Sequence, residues 1–326
     1  MNASPVAENQ PQRAAGNTTK SPHNDPQSPG AWITLRHALS DIKLAHSVFA
    51  LPFAVLAAVA ARPLNASWST FAGQLALVVL CMVLARTWAM MVNRLADRAF
   101  DAKNPRTARR ALASGTLSPR QGWTVALASA VLFTSAAALF WFFFDNRWPA
   151  LLSLPVLAWI AFYSYTKRFT WLCHLFLGGA LAASPIAAAI AIDPASLSRT
   201  PMLWLLAAMV VLWVAGFDII YAIQDLDFDR REHLSSIPAR LGLRGAIWTS
   251  RALHAAAFVM LALAWRAEPR FGALFGAAVL LVAALLITEH LVLARRGKDG
   301  LDMAFFTLNG IVSCLLGAAG CADLLI

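Results

Sequence analysis

Nine long apolar stretches dominate this 326-residue chain and limit what it can fold into. A helix needs about 20 apolar residues to cross a hydrocarbon layer ~30 Å thick, and each stretch is that long or nearly so. The strands of a membrane barrel alternate apolar and polar residues, whereas these stretches are apolar throughout. Since only helices and closed barrels satisfy the backbone in lipid, the sequence predicts an all-α, polytopic membrane protein with nine transmembrane helices. The predicted spans cover residues 44–61, 70–92, 124–144, 148–165, 171–192, 201–222, 246–265, 271–294 and 303–325.

The composition agrees with a membrane location, because 59% of the residues are hydrophobic and only 13% are charged. Residues 1–35 differ, since they are rich in Pro, Asn, Ser and Gln, and they predict a disordered tail ahead of a membrane domain at 36–326. The tail has no apolar core, so it is not expected to be a signal peptide. The four cysteines lie in apolar stretches without metal-type spacing, which is typical of buried small hydrophobes.

Positive charge is distributed unevenly between the two sides of the predicted bundle. Twenty of the 27 lysines and arginines lie in the tail and in alternate loops, and five lie in the loops between them. Nine spans produce this alternation, and the positive-inside rule then places the N-terminus in the cytoplasm and the C-terminus on the opposite side. Topology and contacts with anionic lipid explain the net charge of +10, so we expect no nucleic-acid partner.

A row of polar side chains ends the second predicted span. Asn93, Asp97 and Asp101 are spaced i, i+4 and i+8, which places them on one helical face. Their oxygens are hard ligands of the kind that Mg²⁺ prefers, and Mg²⁺ commonly bridges a few carboxylates to substrate phosphates. The alternative is that these helix-end carboxylates pair with the many nearby arginines.

A second acidic row ends the sixth predicted span. Asp218, Asp225 and Asp229 are spaced i, i+7 and i+11, and Tyr221 joins their face, whereas Asp227 lies off it and is not expected to be a ligand. Both rows end on the same side at equivalent depth, so they can converge on one metal site. An acid near membrane depth costs ~2.5–3.5 kcal/mol, which disfavours acids without a role.

Cations beside the acids supply what a diphosphate leaving group needs. Lys103 and Arg106 follow the first row, and Tyr163 and Lys167 end the fourth span. Loop cations of this kind can instead face lipid head groups. Arg86 lies inside the second span on the face of the first row, where a guanidinium requires an anionic partner. It can clamp the carboxylate of an aromatic acid or pair with a neighbouring aspartate, and both alternatives stay open.

Together these motifs resemble the UbiA superfamily of intramembrane prenyltransferases. The two aspartate rows are similar to its aspartate-rich motifs, and the Tyr163–Lys167 pair to its third motif. The likeness extends from about Ile42 to Asn309. Within this superfamily, four segments are most similar in sequence to the 4-hydroxybenzoate polyprenyltransferase branch and its menaquinone-pathway relatives. These segments are IKLAHSVFALPF, ARTWAMMVNRLADRAFDAKNPRTA, WVAGFDIIYAIQDLDFDRR and FFTLNG.

The resemblance implies nine helices around a central cavity that opens laterally to lipid, and Mg²⁺ ions that bridge the aspartates and the diphosphate. It implies transfer of a polyprenyl group from polyprenyl diphosphate to an aromatic acid, 4-hydroxybenzoate above all, for ubiquinone or menaquinone synthesis in the bacterial inner membrane. The catalytic residues are then Asp97, Asp101, Asp225 and Asp229. The metal-binding residues are these four with Asn93 and Asp218. The diphosphate-binding residues are Lys43, Lys103, Arg106, Tyr163 and Lys167, and the acceptor-binding residues are Arg86 and Tyr221.

Two alternatives differ from this interpretation. A member of the same superfamily can act on another acceptor, such as haem, chlorophyllide or a glycerol lipid. A transporter can use the aspartates as ion or proton sites, but its sites typically lie near the membrane midplane. The acids here lie at the cytoplasmic helix ends beside cations, which favours the enzyme.

Overall fold

The computed structural model describes residues 49–297, residue 301 and residues 303–326, and every regular element in this part of the chain is a helix. The tail and Lys43 lie outside the described residues, so the predictions made for them stay predictions. The α-helices in chain order are α1 Leu51–Ala61, α2 Trp68–Lys103, α3 Ala111–Ser114, α4 Pro119–Phe144, α5 Trp148–Thr166, α6 Cys173–Ile192, α7 Ser196–Arg199, α8 Met202–Ala222, α9 Leu226–Arg231, α10 Ile237–Ala267, α11 Ala273–Arg296 and α12 Asn309–Leu325.

The predicted all-α, polytopic fold is confirmed. Eight helices in the described residues are long and apolar enough to cross a membrane, and α1 is a shorter apolar helix at the place of the first predicted span. Residues 44–48 of that predicted span lie outside the described residues, and its described helix covers Leu51–Ala61. The last span opens with a π-helical turn, Met303–Leu308, before it continues as α12.

Large apolar side chains cover the outside of the bundle. Phe142 is 78% exposed, Leu280 67% and Val131 65%, which suits a surface that faces lipid tails rather than water. Exposed tryptophans lie at helix ends, for example Trp68 at the start of α2 and Trp148 at the start of α5. Amphipathic indole rings favour the level of the lipid head groups.

Among the helices long enough to cross a membrane, α8 is the most buried, and it packs mainly against α10 and α6. Glycine permits both contacts. A Cβ atom on Gly178 of α6 would lie 2.3 Å from the backbone oxygen of Val211, and one on Gly216 of α8 would lie 2.2 Å from the ring of His254. Close helix approach through small residues is the common packing mode inside membranes. The central helix that leads into the second acidic row is therefore held on two sides.

The helix ends on the acidic side differ from the sequence prediction. α2 continues to Lys103, eleven residues beyond the predicted end of its span, so the whole first row lies on regular helix. α8 instead gives way to a 3₁₀ turn, Ile223–Asp225, before α9 begins. A 3₁₀ turn winds more tightly than an α-helix, so the second row does not lie on one continuous helical face.

Candidate active site

The first acidic row is buried at the end of α2 and paired with cations. Asp97 is 4% exposed, and its carboxylate accepts hydrogen bonds from Lys167 Nζ at 2.7 Å and Arg168 Nη2 at 3.3 Å. Asn93 Nδ2 lies 3.4 Å from the same carboxylate, one helical turn away. Asp101 is 7% exposed, and Arg110 Nη1 contacts both of its oxygens at 2.8 and 2.9 Å. Each aspartate in this row therefore faces a cation from another element.

The second acidic row is divided between three elements, and its carboxylates have different partners. Asp218, on α8, accepts a hydrogen bond from His174 Nδ1 at 2.7 Å. The backbone N–H of Ile237 donates to the other ring nitrogen of His174 at 3.3 Å, so a neutral His174 carries its proton on Nδ1. Asp229, on α9, accepts a hydrogen bond from the Ser236 hydroxyl at 2.8 Å. This hydroxyl also caps α10, so the loop after the second row is bound to the row itself.

The two rows meet through the loop that follows α2. Asn104 Nδ2 donates to Asp225 Oδ1 at 2.9 Å, and Arg106 binds both oxygens of Asp225 at 2.9 and 2.5 Å. Burial opposes the charge of this guanidinium, but its hydrogen bond and attraction to Asp225 prevail and raise the pKa of Arg106 above its ordinary value. Lys167, which binds Asp97, is also close enough to Asp229 to act on its charge. The ends of α2, α5 and α8 therefore converge on one polar site.

The other predicted cation and the second tyrosine lie at the rim of this site. Lys103 pairs with Glu232 at 2.7 Å, and this contact is largely exposed. Tyr221 lies beside Arg106, whose Nη1 is 3.4 Å from the phenol oxygen, and packs edge-on against Phe306 with ring centroids 6.2 Å apart. Tyr221 therefore lies beside the cation that joins the two acidic rows.

An apolar cavity of about 330 Å³ extends away from the polar site between α2, α4, α5 and α6. Arg86 and Tyr163 line it together with apolar side chains that include Phe133 and Phe140. Arg86 makes no ion pair with the described residues, and its Nε is buried without a hydrogen-bond partner. Tyr163 lies one helical turn before Lys167, which binds Asp97, so the cavity and the polar site adjoin. The cavity thus has an apolar wall and one buried guanidinium.

A second, more open groove of about 640 Å³ lies at the opposite ends of the helices. Asp145, Arg147 and Asp193 line it, in the loops after α4 and α6. These loops lie on the side away from both acidic rows, so the groove has no part in the chemistry considered below.

The structure brings most of the predicted site residues together, but not as a metal cluster. Within the described ranges no three His, Cys, Asp or Glu side chains are placed to hold an ion. The carboxylates contact cations or hydrogen-bond donors instead. Asp227 is exposed, in line with its predicted exclusion from the ligands. Arg86 and Tyr221, predicted to bind one acceptor, do not line the same cavity.

Sequence reasoning missed several residues that hold the carboxylates. Asn104, which donates to Asp225, lies in the segment NPRTARR after the first row and was not singled out, whereas Arg110 was noted only as one of several cations that follow this row. Arg168 directly follows Lys167, and nothing in the sequence singled it out. His174 had no signal at all, since a lone histidine at the start of an apolar span has no marked partner in the sequence.

Fold and site together define a multi-pass helical membrane protein with an acid-rich polar site beside an apolar cavity. Sequence comparison identifies it further, because the profile of the UbiA prenyltransferase family matches residues 50–311. The chain belongs to the UbiA prenyltransferase family and is a prenyltransferase. This family membership sets the transporter alternative aside.

Curated relatives agree with this assignment. The chain is 34% identical over 232 residues to the 4-hydroxybenzoate octaprenyltransferase of Xanthomonas oryzae, covering 70% of this chain and 73% of the relative. It is 32% identical over 245 residues to the protein of the same name from Saccharophagus degradans, covering 73% and 76%.

Solved structures share the fold. A UbiA homolog from Aeropyrum pernix, solved in its apo form, superposes with a TM-score of 0.74 at 35% identity, covering 85% of this chain and 98% of that one. A UbiA homolog from Archaeoglobus fulgidus bound to GPP and Mg²⁺ has a TM-score of 0.62 at 21% identity, covering 89% and 100%. At that lower identity the likeness concerns the fold alone.

Proposed function

We propose that this protein transfers a polyprenyl group from a polyprenyl diphosphate to an aromatic acid, 4-hydroxybenzoate above all. The observation that carries the proposal is the contact between two acidic helix ends beside an apolar cavity lined by Arg86, which forms no ion pair with the residues described. The relatives named 4-hydroxybenzoate octaprenyltransferase support the acceptor and the long prenyl donor. An acceptor of this kind leads to a respiratory quinone, either ubiquinone or menaquinone.

The donor set fits Mg²⁺. Each acidic row offers oxygen ligands only, and Mg²⁺ is commonly bound through one or two carboxylates with substrate phosphates and waters completing its shell. Bound there, the ion supplies Lewis-acid stabilisation of the diphosphate leaving group. The residues proposed to hold it are Asp97 and Asp101 from the first row and Asp225 and Asp229 from the second, assisted by Asn93 and Asp218.

The cations around the rows take the charge of the leaving group. Lys167 and Arg106 lie at the meeting point of the rows, Lys103 lies at the rim, and all three can turn from carboxylates to a diphosphate. As the C–O bond of the prenyl diphosphate breaks, the diphosphate leaves with the electron pair and an allyl cation remains. The proposal also assigns Lys43 to this group, and Tyr163 to the boundary between the diphosphate and the cavity.

The cavity protects the cation and orients the acceptor. Its apolar wall excludes water, which would otherwise react with the cation, and the faces of Phe133, Phe140 and Tyr163 can stabilise positive charge. Arg86 is proposed to hold the acceptor carboxylate, because it lines the cavity, its Nε is buried without a hydrogen-bond partner, and it forms no ion pair with any residue that the structure describes. The ring carbon beside the phenol oxygen then bonds to the prenyl carbon, and an aspartate or the released diphosphate takes the ring proton.

Membrane assays with paired acceptors test this proposal. Wild-type membranes receive one labelled prenyl diphosphate with either 4-hydroxybenzoate or phenol, which lacks the carboxylate. Arg86→Gln is expected to raise KM for 4-hydroxybenzoate by about 10–100-fold, since a hydrogen bond to a charged group contributes ~1.5–3 kcal/mol, and to leave phenol use unchanged. Met82→Leu, a volume-conserving change in the same cavity wall, is the control. Equal loss with both acceptors would contradict the role of Arg86.

The acceptor assay also separates this proposal from the other superfamily activities. Offered haem, chlorophyllide, a glycerol phosphate and several aromatic acids with one donor, the enzyme is expected to label the aromatic acids. A single buried guanidinium in a cavity of about 330 Å³ suits a small ring with one carboxylate better than a macrocycle. Preferential labelling of any other class would refute the assignment of the acceptor.

The proposed location is the bacterial inner membrane, with the N-terminus and the two acidic rows on the cytoplasmic side. The distribution of lysine and arginine between alternate loops supports this orientation. Fusion of a reporter that functions on one side of the membrane only, after Ile326, is expected to report the outer side. The division between a tail at residues 1–35 and a membrane domain at 36–326 remains a prediction.

A further inference from the structure

Asp225 is held by the loop that follows the first acidic row. Arg106 Nε donates to Asp225 Oδ1 at 2.9 Å, Arg106 Nη2 donates to Oδ2 at 2.5 Å, and Asn104 Nδ2 donates to Oδ1 at 2.9 Å. Arg106 also lies over the ring of Tyr221, 5.5 Å from its centroid. Both oxygens of one proposed metal ligand are therefore engaged by donors from the opposite motif.

This contact differs from the other ion pairs of the site. Lys167 and Arg168 each contact one oxygen of Asp97, and Arg110 contacts both oxygens of Asp101 through a single nitrogen. Arg106 instead places two nitrogens of its planar fork on the two oxygens of Asp225. An arginine does not lose its proton in proteins, so this positive charge stays in place at any working pH. A divalent cation that approaches Asp225 meets both an occupied carboxylate and a fixed charge of its own sign.

A diphosphate offers Arg106 a better partner. The fork of a guanidinium matches phosphate oxygens as well as carboxylate oxygens, and a diphosphate carries more negative charge than one aspartate. The Arg106 side chain is 31% exposed, so it lies at the solvent side of the contact. Asn104 is buried, and its backbone carbonyl accepts hydrogen bonds from the N–H groups of Thr107 and Ala108 at 2.9 Å. Arg106 can therefore turn away while Asn104 stays.

We propose that Arg106 is a latch that covers Asp225 against divalent cations until a diphosphate draws its guanidinium away, while Asn104 keeps the freed carboxylate in place. The inference rests on the proposed function, since it concerns the same diphosphate and the same carboxylate. It makes the binding of metal and of diphosphate cooperative, and such coupling is reciprocal. This coupling sets the order in which the site assembles, because the metal site becomes complete only when the prenyl diphosphate is bound.

Binding measurements on purified, substrate-free protein test the latch without relying on turnover. Mn²⁺ is titrated alone and again with inorganic pyrophosphate, and bound Mn²⁺ is measured by electron paramagnetic resonance. Wild-type protein is expected to bind Mn²⁺ about tenfold more tightly when pyrophosphate is present, within the range of common coupling between sites. Arg106→Gln is expected to bind Mn²⁺ alone about tenfold more tightly than wild type, with little further gain from pyrophosphate.

Two further variants identify the cause. Glu232→Gln breaks the Lys103–Glu232 contact, which joins the same two segments without touching Asp225, and is expected to leave Mn²⁺ affinity unchanged. Arg106→Lys retains the charge but lacks the fork, and it is expected to give an intermediate Mn²⁺ affinity. Arg106→Lys also replaces Arg106→Gln as the test variant if Arg106→Gln fails to fold, and thermal unfolding shows whether each variant is folded.

The outcomes separate the latch from the proposed function. If Arg106→Gln and Arg106→Lys bind Mn²⁺ alone no more tightly than wild type, the latch is wrong, even where pyrophosphate binding is weakened. The latch is also wrong if Glu232→Gln gains as much Mn²⁺ affinity as Arg106→Gln, because release of the contact between the two segments would then explain the gain. If the wild type binds no Mn²⁺ with pyrophosphate, the proposed function itself fails.

Discussion

Replacement of Gly178 by alanine tests how closely α6 and α8 must approach. The new Cβ would lie 2.3 Å from the backbone oxygen of Val211, whereas real contacts of this kind stay beyond 3.0 Å. The helices must then separate by about 0.7 Å or more, since a backbone oxygen in mid-helix cannot rotate aside. One turn from Gly178, the 2.7 Å bond between His174 and Asp218 joins the same two helices and would be stretched.

The cost of this substitution can be worked out from the affected contacts. Overpacking costs about 1–3 kcal/mol, and loss of a buried hydrogen bond to a charged group costs about 1.5–3 kcal/mol. Alanine returns about 1 kcal/mol through its higher helix propensity. The expected net loss for Gly178→Ala is therefore about 1.5–5 kcal/mol, which corresponds to a fall in Tm of about 2–7 °C for a chain of 326 residues.

The neighbouring glycine provides a matched control. A Cβ on Gly179 meets only the ring edge of Trp159 at 3.1 Å, and a side chain can yield where a backbone cannot. Both variants gain the same helix propensity, so the difference between them isolates the backbone clash. Thermal unfolding in detergent, followed by tryptophan fluorescence at one scan rate, measures it. If Gly178→Ala is as stable as Gly179→Ala and retains activity, the close approach of α6 and α8 and its link to Asp218 are refuted.

Three further predictions concern the site and the bundle. Asp225→Asn is expected to lower turnover at least about a hundredfold, while membrane fractionation shows that the variant is still inserted. The control, Asp227→Asn at an exposed position, is expected to retain activity, and equal activities of the two variants would contradict the proposed metal role of Asp225. Chelation of Mg²⁺ by EDTA should stop product formation in a radiolabel assay and added Mg²⁺ restore it, so undiminished turnover would contradict metal dependence. Asn309→Ala removes the partner of Trp213 Nε1 (2.7 Å) and of Glu289 Oε1 (3.3 Å), and should lower thermal stability by about 2–4 kcal/mol; an unchanged Tm would show that neither bond matters.

The sequence predicted the first acidic row better than the second. Asn93, Asp97 and Asp101 obey a simple helical spacing, and α2 continues regularly through all three. The second row was expected on one helical face, but the 3₁₀ turn at Ile223–Asp225 interrupts the helix. Spacing arguments assume a constant rise and rotation per residue, and a local change in hydrogen bonding of this kind has no clear sequence mark.

Pairings between distant residues could not be predicted from spacing. The chain offers many cations near the acids, and only the packed structure selects Lys167 for Asp97, Arg110 for Asp101 and Arg106 for Asp225. Arg86 is the opposite case. The sequence left open whether it pairs with an aspartate, and the structure places it in the cavity without an ion pair to any described residue.

The sequence by itself determined the class of fold and the residues available for chemistry, because lipid imposes strict requirements on length, apolarity and backbone hydrogen bonding. Only the tertiary structure decided how these residues are arranged. It joined the two acidic rows through Asn104 and Arg106, placed His174 behind Asp218, and left one guanidinium in an apolar cavity. The physical reason is that side-chain contacts depend on helix crossing and on loops, whose geometry follows from packing across the whole bundle rather than from local pattern.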